Sequence, residues 1–249
     1  MGAIFTELLK LRRSLAWPIV VLLPVTLALV GAITQLADGT TPENGWDTVW
    51  LQSVGFYGLF PLAIGIAILG SLVWRVEHRG NNWNALMSGP TPTVNIVLAK
   101  AFVVAGLTAL MQVVLVLAVI AIGKVAFGLP GILPGQYLAV AALLILATVP
   151  VAALQSAISM FLRSFAAPVA FAFVASGIST AALMVLGDVA MISPYGLATR
   201  TTLLGTGFFA DSGTVTTGSI VTTVIVAVVL TALILMLTSV ALNRRDTRN

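Results

Sequence analysis

Residues Leu15–Leu36 read LAWPIVVLLPVTLALVGAITQL, 22 residues without an Asp, Glu, Lys, Arg or His. A helix of about 20 apolar residues crosses the hydrocarbon of a bilayer. Arg12 and Arg13 precede the run, so a cleaved signal peptide is the competing reading. The choice matters because it sets whether the number of spans is even or odd. The run exceeds the ~7–15 apolar residues of a signal peptide, and no A-x-A cleavage site follows it. It is read here as a first transmembrane span.

Five further runs share its character: Val49–Trp74, Ala101–Gly123, Tyr137–Leu162, Phe165–Leu186 and Ile220–Leu242. The chain is 59% hydrophobic and 8% charged, against about 25% charged residues in soluble domains. This predicts an all-α integral membrane protein of six transmembrane helices, with residues 1–249 forming one transmembrane domain. With six spans, Lys10, Arg12, Arg13, Arg75, Arg79, Lys100, Arg163, Arg244, Arg245 and Arg248 share one side, and only Lys124 and Arg200 fall on the other. Ten against two sets the orientation, because cytoplasmic loops carry the excess of Lys and Arg. Both termini are therefore expected in the cytoplasm. An Ala-, Val-, Gly- and Arg-rich composition with little Lys points to a bacterial cytoplasmic membrane. The net charge of +4 reports this loop bias and does not call for a nucleic-acid partner.

Three polar segments punctuate the spans. In residues 1–14, Ala3, Ile4, Leu8 and Leu11 recur at helical spacing with Phe5 and Leu9, while Glu7, Lys10 and Arg13 occupy the other face. That pattern predicts an amphipathic helix in the membrane interface; an extension of the first span is the alternative. Residues 187–219 are too apolar for a solvated loop. MISPYG and TLLGTGFFA within them are expected as short re-entrant helices, which need protein cover at membrane depth, unless the segment is a plain interfacial loop. Residues 75–93 overlap the stretch VEHRGNNWNALMSGPTPTVNIVLAK, Val76–Lys100. Gly80 breaks a helix there, and Gly89 with Pro90 ends the next short one. Trp83, Leu86 and Met87 fall at i, i+3 and i+4 on one face of it. Such a ridge can lie on the bilayer or fit a groove on a soluble partner.

Several functions lack their chemistry here. No cysteine is present, His78 is the one histidine, and no P-loop, H-E-x-x-H or G-x-S-x-G motif occurs. No catalytic, cofactor-binding or metal-ligating residue is therefore assigned. No ionisable residue lies within the six runs, where ion-coupled carriers keep them. Gln52, Gln112 and Gln155 are the strongest polar groups in the spans. They either line a substrate path or hydrogen-bond neighbouring helices.

Glu77 after span two, Trp83 and Leu86 in a W-x-x-L ridge, Pro90, and Lys100 at span three together resemble the permeases of type-2 ATP-binding-cassette (ABC) exporters. The branch most similar is that of the lantibiotic-immunity permeases, and the layout of the whole chain agrees. The resemblance implies an exporter subunit that moves an amphipathic or hydrophobic substrate, such as an antimicrobial peptide, a drug or a lipid-like molecule, as in multidrug resistance. It implies a coupling helix between spans two and three, docked on a separate dimeric ABC ATPase, with Glu77, Trp83, Leu86, Met87, Pro90 and Lys100 in the coupling region. Glu77 is expected to pair with Lys100, Arg79 or the N-terminal basic residues as a charge at the interfacial rim. ATP and Mg would then belong to the partner, and this chain would be no enzyme. A second permease copy or a homologous permease is also implied, as a homodimer or heterodimer in membrane lipid. The alternative is a non-transporting scaffold or sensor that docks a soluble partner through the same loop, ahead of an ion-coupled carrier.

Overall fold

The computed structural model describes residue 7 and residues 14–37, 39, 41–79, 92–208 and 211–246. Among these, regular structure is helical throughout, and six helical stretches are long and apolar enough to cross a membrane. The interfacial helix expected over residues 1–14 lies outside the described residues except for Glu7 and Ser14. The helix expected to carry Trp83, Leu86, Met87 and Pro90 lies outside them altogether.

Helix α1 (Ala16–Ala37) carries a stripe of mostly small residues at four-residue spacing: Ala16, Val20, Pro24, Ala28 and Ala32 are all buried. Small residues let helix backbones approach where lipid supplies no hydrophobic drive. The approach is closest at Gly31, where an added Cβ would lie 2.6 Å from the Gln52 carbonyl oxygen. The opposite face, with Leu22, Leu29, Ile33 and Leu36, is exposed and suits contact with lipid.

The second predicted span is broken. Helix α2 (Trp46–Tyr57) ends at Gly58, and helix α3 (Pro61–His78) starts anew. Two features cause the break. Pro61 has no amide proton to continue the ladder and is suited to a first helical turn. The Gly58 carbonyl is taken by the Thr199 hydroxyl at 2.9 Å, and a Cβ at Gly58 would sit 2.3 Å from Thr202 Oγ1.

Helix α4 (Thr93–Val125) is longer than the run that predicted it and contains Lys100. Helices α5 (Gly135–Ala147) and α6 (Val149–Phe161) form the fourth span. They divide at Thr148, whose hydroxyl bonds back to the Leu144 and Ile145 carbonyls, next to Pro150. Helix α7 (Ala166–Leu186) follows a four-residue turn. Helix α9 (Thr217–Asp246) is the last span, and only 11% of its most apolar stretch is buried.

Between α7 and α9 lie a 3-10 helix (Gly187–Ile192) and helix α8 (Pro194–Thr202). Helix α8 is buried over most of its length because it enters the bundle. Tyr195 meets Gln155 of α6 and Thr199 meets the α2–α3 break. TLLGTGFFA does not form the expected second helix: its described part is a series of turns, with Gly205 and Gly207 at φ 75° and 72°. Those left-handed conformations suit glycine and end a helix.

One end of the bundle gathers Trp74, Ile96, Val97, Met160 and Leu242 into an apolar cluster. Glu7 reaches the same end through Lys100. The first and last parts of the chain therefore meet at one end, as six passages require.

Glycine substitutions on one helix surface and its boundary test the α2–α3 break. Gly58→Ala is expected to destabilise the protein by about 1–3 kcal/mol through overpacking against Thr202. Gly55→Ala, where nothing lies within 4 Å of the new Cβ, is expected to be neutral or stabilising by up to about 1 kcal/mol. Thermal unfolding in detergent compares the two.

Candidate functional site

Lys100 lies two helical turns into α4 and is 1% exposed. An ammonium group has three protons and no acceptor capacity, and burying it unpaired is prohibitive. Its three contacts match the three protons: Glu7 Oε2 at 2.8 Å, Glu77 Oε1 at 3.1 Å and the Val73 carbonyl at 3.3 Å. The Trp74 ring lies 4.8 Å from Nζ and presents its electron-rich face. Trp74 is itself fixed, since its indole N–H donates to Ser156 Oγ at 3.0 Å.

Glu77 is not the rim charge expected from sequence. It is 4% exposed, because the end of α3 packs tightly on α6 and turns this carboxylate inward. An added Cβ at Gly70 would lie 3.2 Å from the Gln155 carbonyl and from Ser159 Oγ. His78 donates from Nε2 to the Ser159 carbonyl at 2.8 Å along the same seam. Glu7 is likewise buried, not solvated on the polar face of an interfacial helix. Lys100 thus joins three parts of the chain: the N-terminal segment, the end of α3 and the start of α4. Glu77 and Lys100 bracket the connection that contains Trp83, Leu86, Met87 and Pro90, and their pairing closes its base.

Glu7, Val73 and Trp74 were not singled out in the sequence. Glu7 carried a signal, being an acid in a segment otherwise rich in Lys and Arg. The Val73 carbonyl carried none.

The three glutamines lie between helices. Gln52 Nε2 donates to Gln35 Oε1 of α1 at 2.6 Å, Tyr57 of α2 donates to Gln112 Oε1 at 3.3 Å, and Gln155 Nε2 donates to Tyr195 of α8 at 2.5 Å. None of them lines an apolar groove that runs beside α4. That groove, about 770 Å³, is bounded by Ala99, Phe102 and Gly106 of α4, Val149 and Ala153 of α6, and Leu235 of α9. Its walls are almost wholly apolar, and Asn95 and Thr231 supply its few polar groups.

At the other end of the bundle, Arg200 of α8 donates to Asp188 at 2.7 Å and to Asp211 at 2.8 Å. Asp211 also accepts the amides of Gly207 at 3.1 Å and Gly213 at 3.0 Å. Burial pushes the Asp211 carboxyl up; the Arg200 guanidinium and the two amides outweigh it, and the carboxyl sits below its ordinary value. The network pins the turns after α8 to the helix.

A family model described as ABC-2 family transporter protein matches residues 3–179 of the chain. The matched stretch contains Glu7, Glu77 and Lys100. No curated protein and no solved structure matches.

Removing Lys100 takes the shared ammonium group away from two buried carboxylates. Lys100→Met is expected to cost about 3–5 kcal/mol, and adding Glu7→Gln and Glu77→Gln to it is expected to recover part of the loss. Thermal unfolding of the single and triple variants in detergent measures this; equal stability of wild type and Lys100→Met would remove the triad. A second expectation concerns pH. The folded value of Asp211 is depressed, so its contribution is complete above the ordinary carboxylate value of about 3.9 and is lost as pH falls through the lower folded value. Hydrogen exchange at Gly207 and Gly213 should then gain protection lost only in strong acid, while Asp211→Asn should expose both amides at neutral pH.

Proposed function

The chain belongs to the ABC-2 transporter family, and on that premise we propose that it is the permease subunit of an ATP-driven exporter, coupled to a separate ATPase through the connection between α3 and α4. The observation that carries this reading is the buried Lys100–Glu77–Glu7 triad. A connection that only joined two spans would not need its base closed by a desolvated ion pair. Here a displacement of the connection is handed to α3, α4 and the N-terminal segment together. Packed elements transmit such shifts because their contacts are discrete and not continuously deformable.

In this reading Trp83, Leu86 and Met87 form the ridge that enters a cleft of the ATPase, and Pro90 ends that helix. Glu77 and Lys100 position the ridge and do not touch the partner. ATP and Mg are held by an ATPase dimer, and the connection and both termini face the cytoplasm of a bacterial cell. The ten-to-two distribution of Lys and Arg supports that orientation.

The substrate is proposed to be amphipathic or hydrophobic: an antimicrobial peptide, a drug or a lipid-like molecule, with the lantibiotic-immunity branch as the most similar setting. The apolar groove between α4, α6 and α9 supports this class, since it offers a lateral apolar surface and no charged group. The glutamines already engaged between helices are assigned to packing and not to the path. A second permease copy, identical or homologous, completes the transport unit.

Isolation of the tagged protein from its native membranes in mild detergent, followed by mass spectrometry, tests the proposal. An ABC ATPase in near-equal amount is expected. Trp83→Ala, or Leu86→Asp with Met87→Asp, should weaken that association about tenfold or more, the scale of losing a buried aromatic anchor, and leave the thermal unfolding of the spans unchanged. Recovery of the intact six-span protein without an ATPase would instead favour a scaffold or sensor.

A further inference from the structure

A second polar feature stands beside the triad, on the outer side of α3. A cavity of about 270 Å³ opens between the end of α3 and the turn that joins α6 to α7. Arg75 and Arg79 come from α3 and its cap, Arg163 and Ser164 from the turn, and Ser71 and His78 complete the polar lining. No carboxylate lines this cavity. Among the described residues, no ion pair involves any of the three arginines. Three guanidinium groups placed together repel one another unless an anion lies between them.

The surroundings point to the kind of anion. Arg75 is held, with its guanidinium carbon 5.7 Å from the centre of the Phe165 ring. The 21-residue helix α7 begins at this cavity. Ser164 Oγ accepts the Ala167 amide at 3.3 Å and Pro168 has no amide proton, so of the first helical residues Ala166 keeps an amide without an intrahelical acceptor. Leu162 and Phe165, each about two-fifths exposed, flank the arginines with apolar surface where two spans end. Arginine suits phosphate because its planar donors can engage two oxygens at once.

We infer that this cavity binds a phosphate group, presented by the headgroup of an anionic phospholipid whose acyl chains lie along Leu162 and Phe165. The pairing would link α3 to the α6–α7 turn through the lipid, on the face of α3 opposite the Lys100 triad. Ser71 and Ser164 would offer hydroxyl donors to the remaining phosphate oxygens. The inference stands on the cavity itself and does not depend on the exporter reading.

Equilibrium binding of a fluorescent phosphatidylglycerol to the full-length protein in non-ionic detergent tests it. Each guanidinium near the membrane surface contributes about fivefold in affinity, so Arg75→Gln with Arg163→Gln should weaken binding about 30-fold. Arg75→Lys with Arg163→Lys keeps the charge and loses the paired donors, and should bind more tightly than the glutamine pair and less tightly than the wild type. Should the double glutamine variant fail to fold, Arg163→Gln alone, on the exposed turn, should still give about fivefold weakening. Inorganic phosphate at millimolar concentration is the competing arm. Failure to displace the lipid assigns the phosphate to the headgroup; displacement that vanishes in the glutamine variant keeps the phosphate site and assigns it to a soluble source. Unchanged phosphatidylglycerol binding by folded glutamine variants overturns the inference.

Discussion

Lys100 has three protons to place and is almost fully buried. The whole basic end of the bundle follows from that constraint. The carboxylates come from two different segments, one 93 residues and one 23 residues away in sequence. The third acceptor is the Val73 carbonyl, near the end of α3. A buried charge with three required partners fixes the register of α3 against α4 and the position of the N-terminal segment at once. Hydrophobic contact alone could not do so here, since lipid competes equally for apolar surface.

The rest of the bundle is held by the same economy of polar groups. Gln52 with Gln35, Tyr57 with Gln112, and Gln155 with Tyr195 each join two helices, and small residues let the backbones close around them. Gly123 is one such close approach: an added Cβ would be 2.3 Å from the Trp46 ring. Trp46 in turn donates to the Pro130 carbonyl at 2.8 Å. Interior polar contacts make each helix pair specific, and the outward faces of α1, α7 and α9 remain apolar and unspecific.

Much of this was legible from sequence, because the bilayer sets helix length and forbids unpaired backbone. The six passages follow from apolar run length alone. What the runs could not show was where a helix breaks inside an apolar stretch. Val49–Trp74 reads as one span, and its interruption depends on Gly58 meeting Thr199 and Thr202 from far along the chain. The family resemblance singled out Glu77 and Lys100, and their proximity to the span ends suggested a solvated rim. Burial arises instead from the packing of α3 on α6, a tertiary fact carried by Gly70 and Ser159. Glu7 was harder still. Its helical periodicity placed it with Lys10 and Arg13, and only the position of Lys100 in space turns it inward.

The long separation between Glu7 and Lys100 has a bearing on how the protein is made. Glu7 leaves the ribosome 93 residues before its partner, a delay of roughly 5–20 s at ordinary rates of synthesis. During that interval the first two passages are already being inserted, and the N-terminal segment has no Lys100 to close on. Docking of that segment is therefore a late step in biogenesis, after the third passage has entered the membrane. The same contact that holds the finished bundle together reports that its first half has been assembled in the right order.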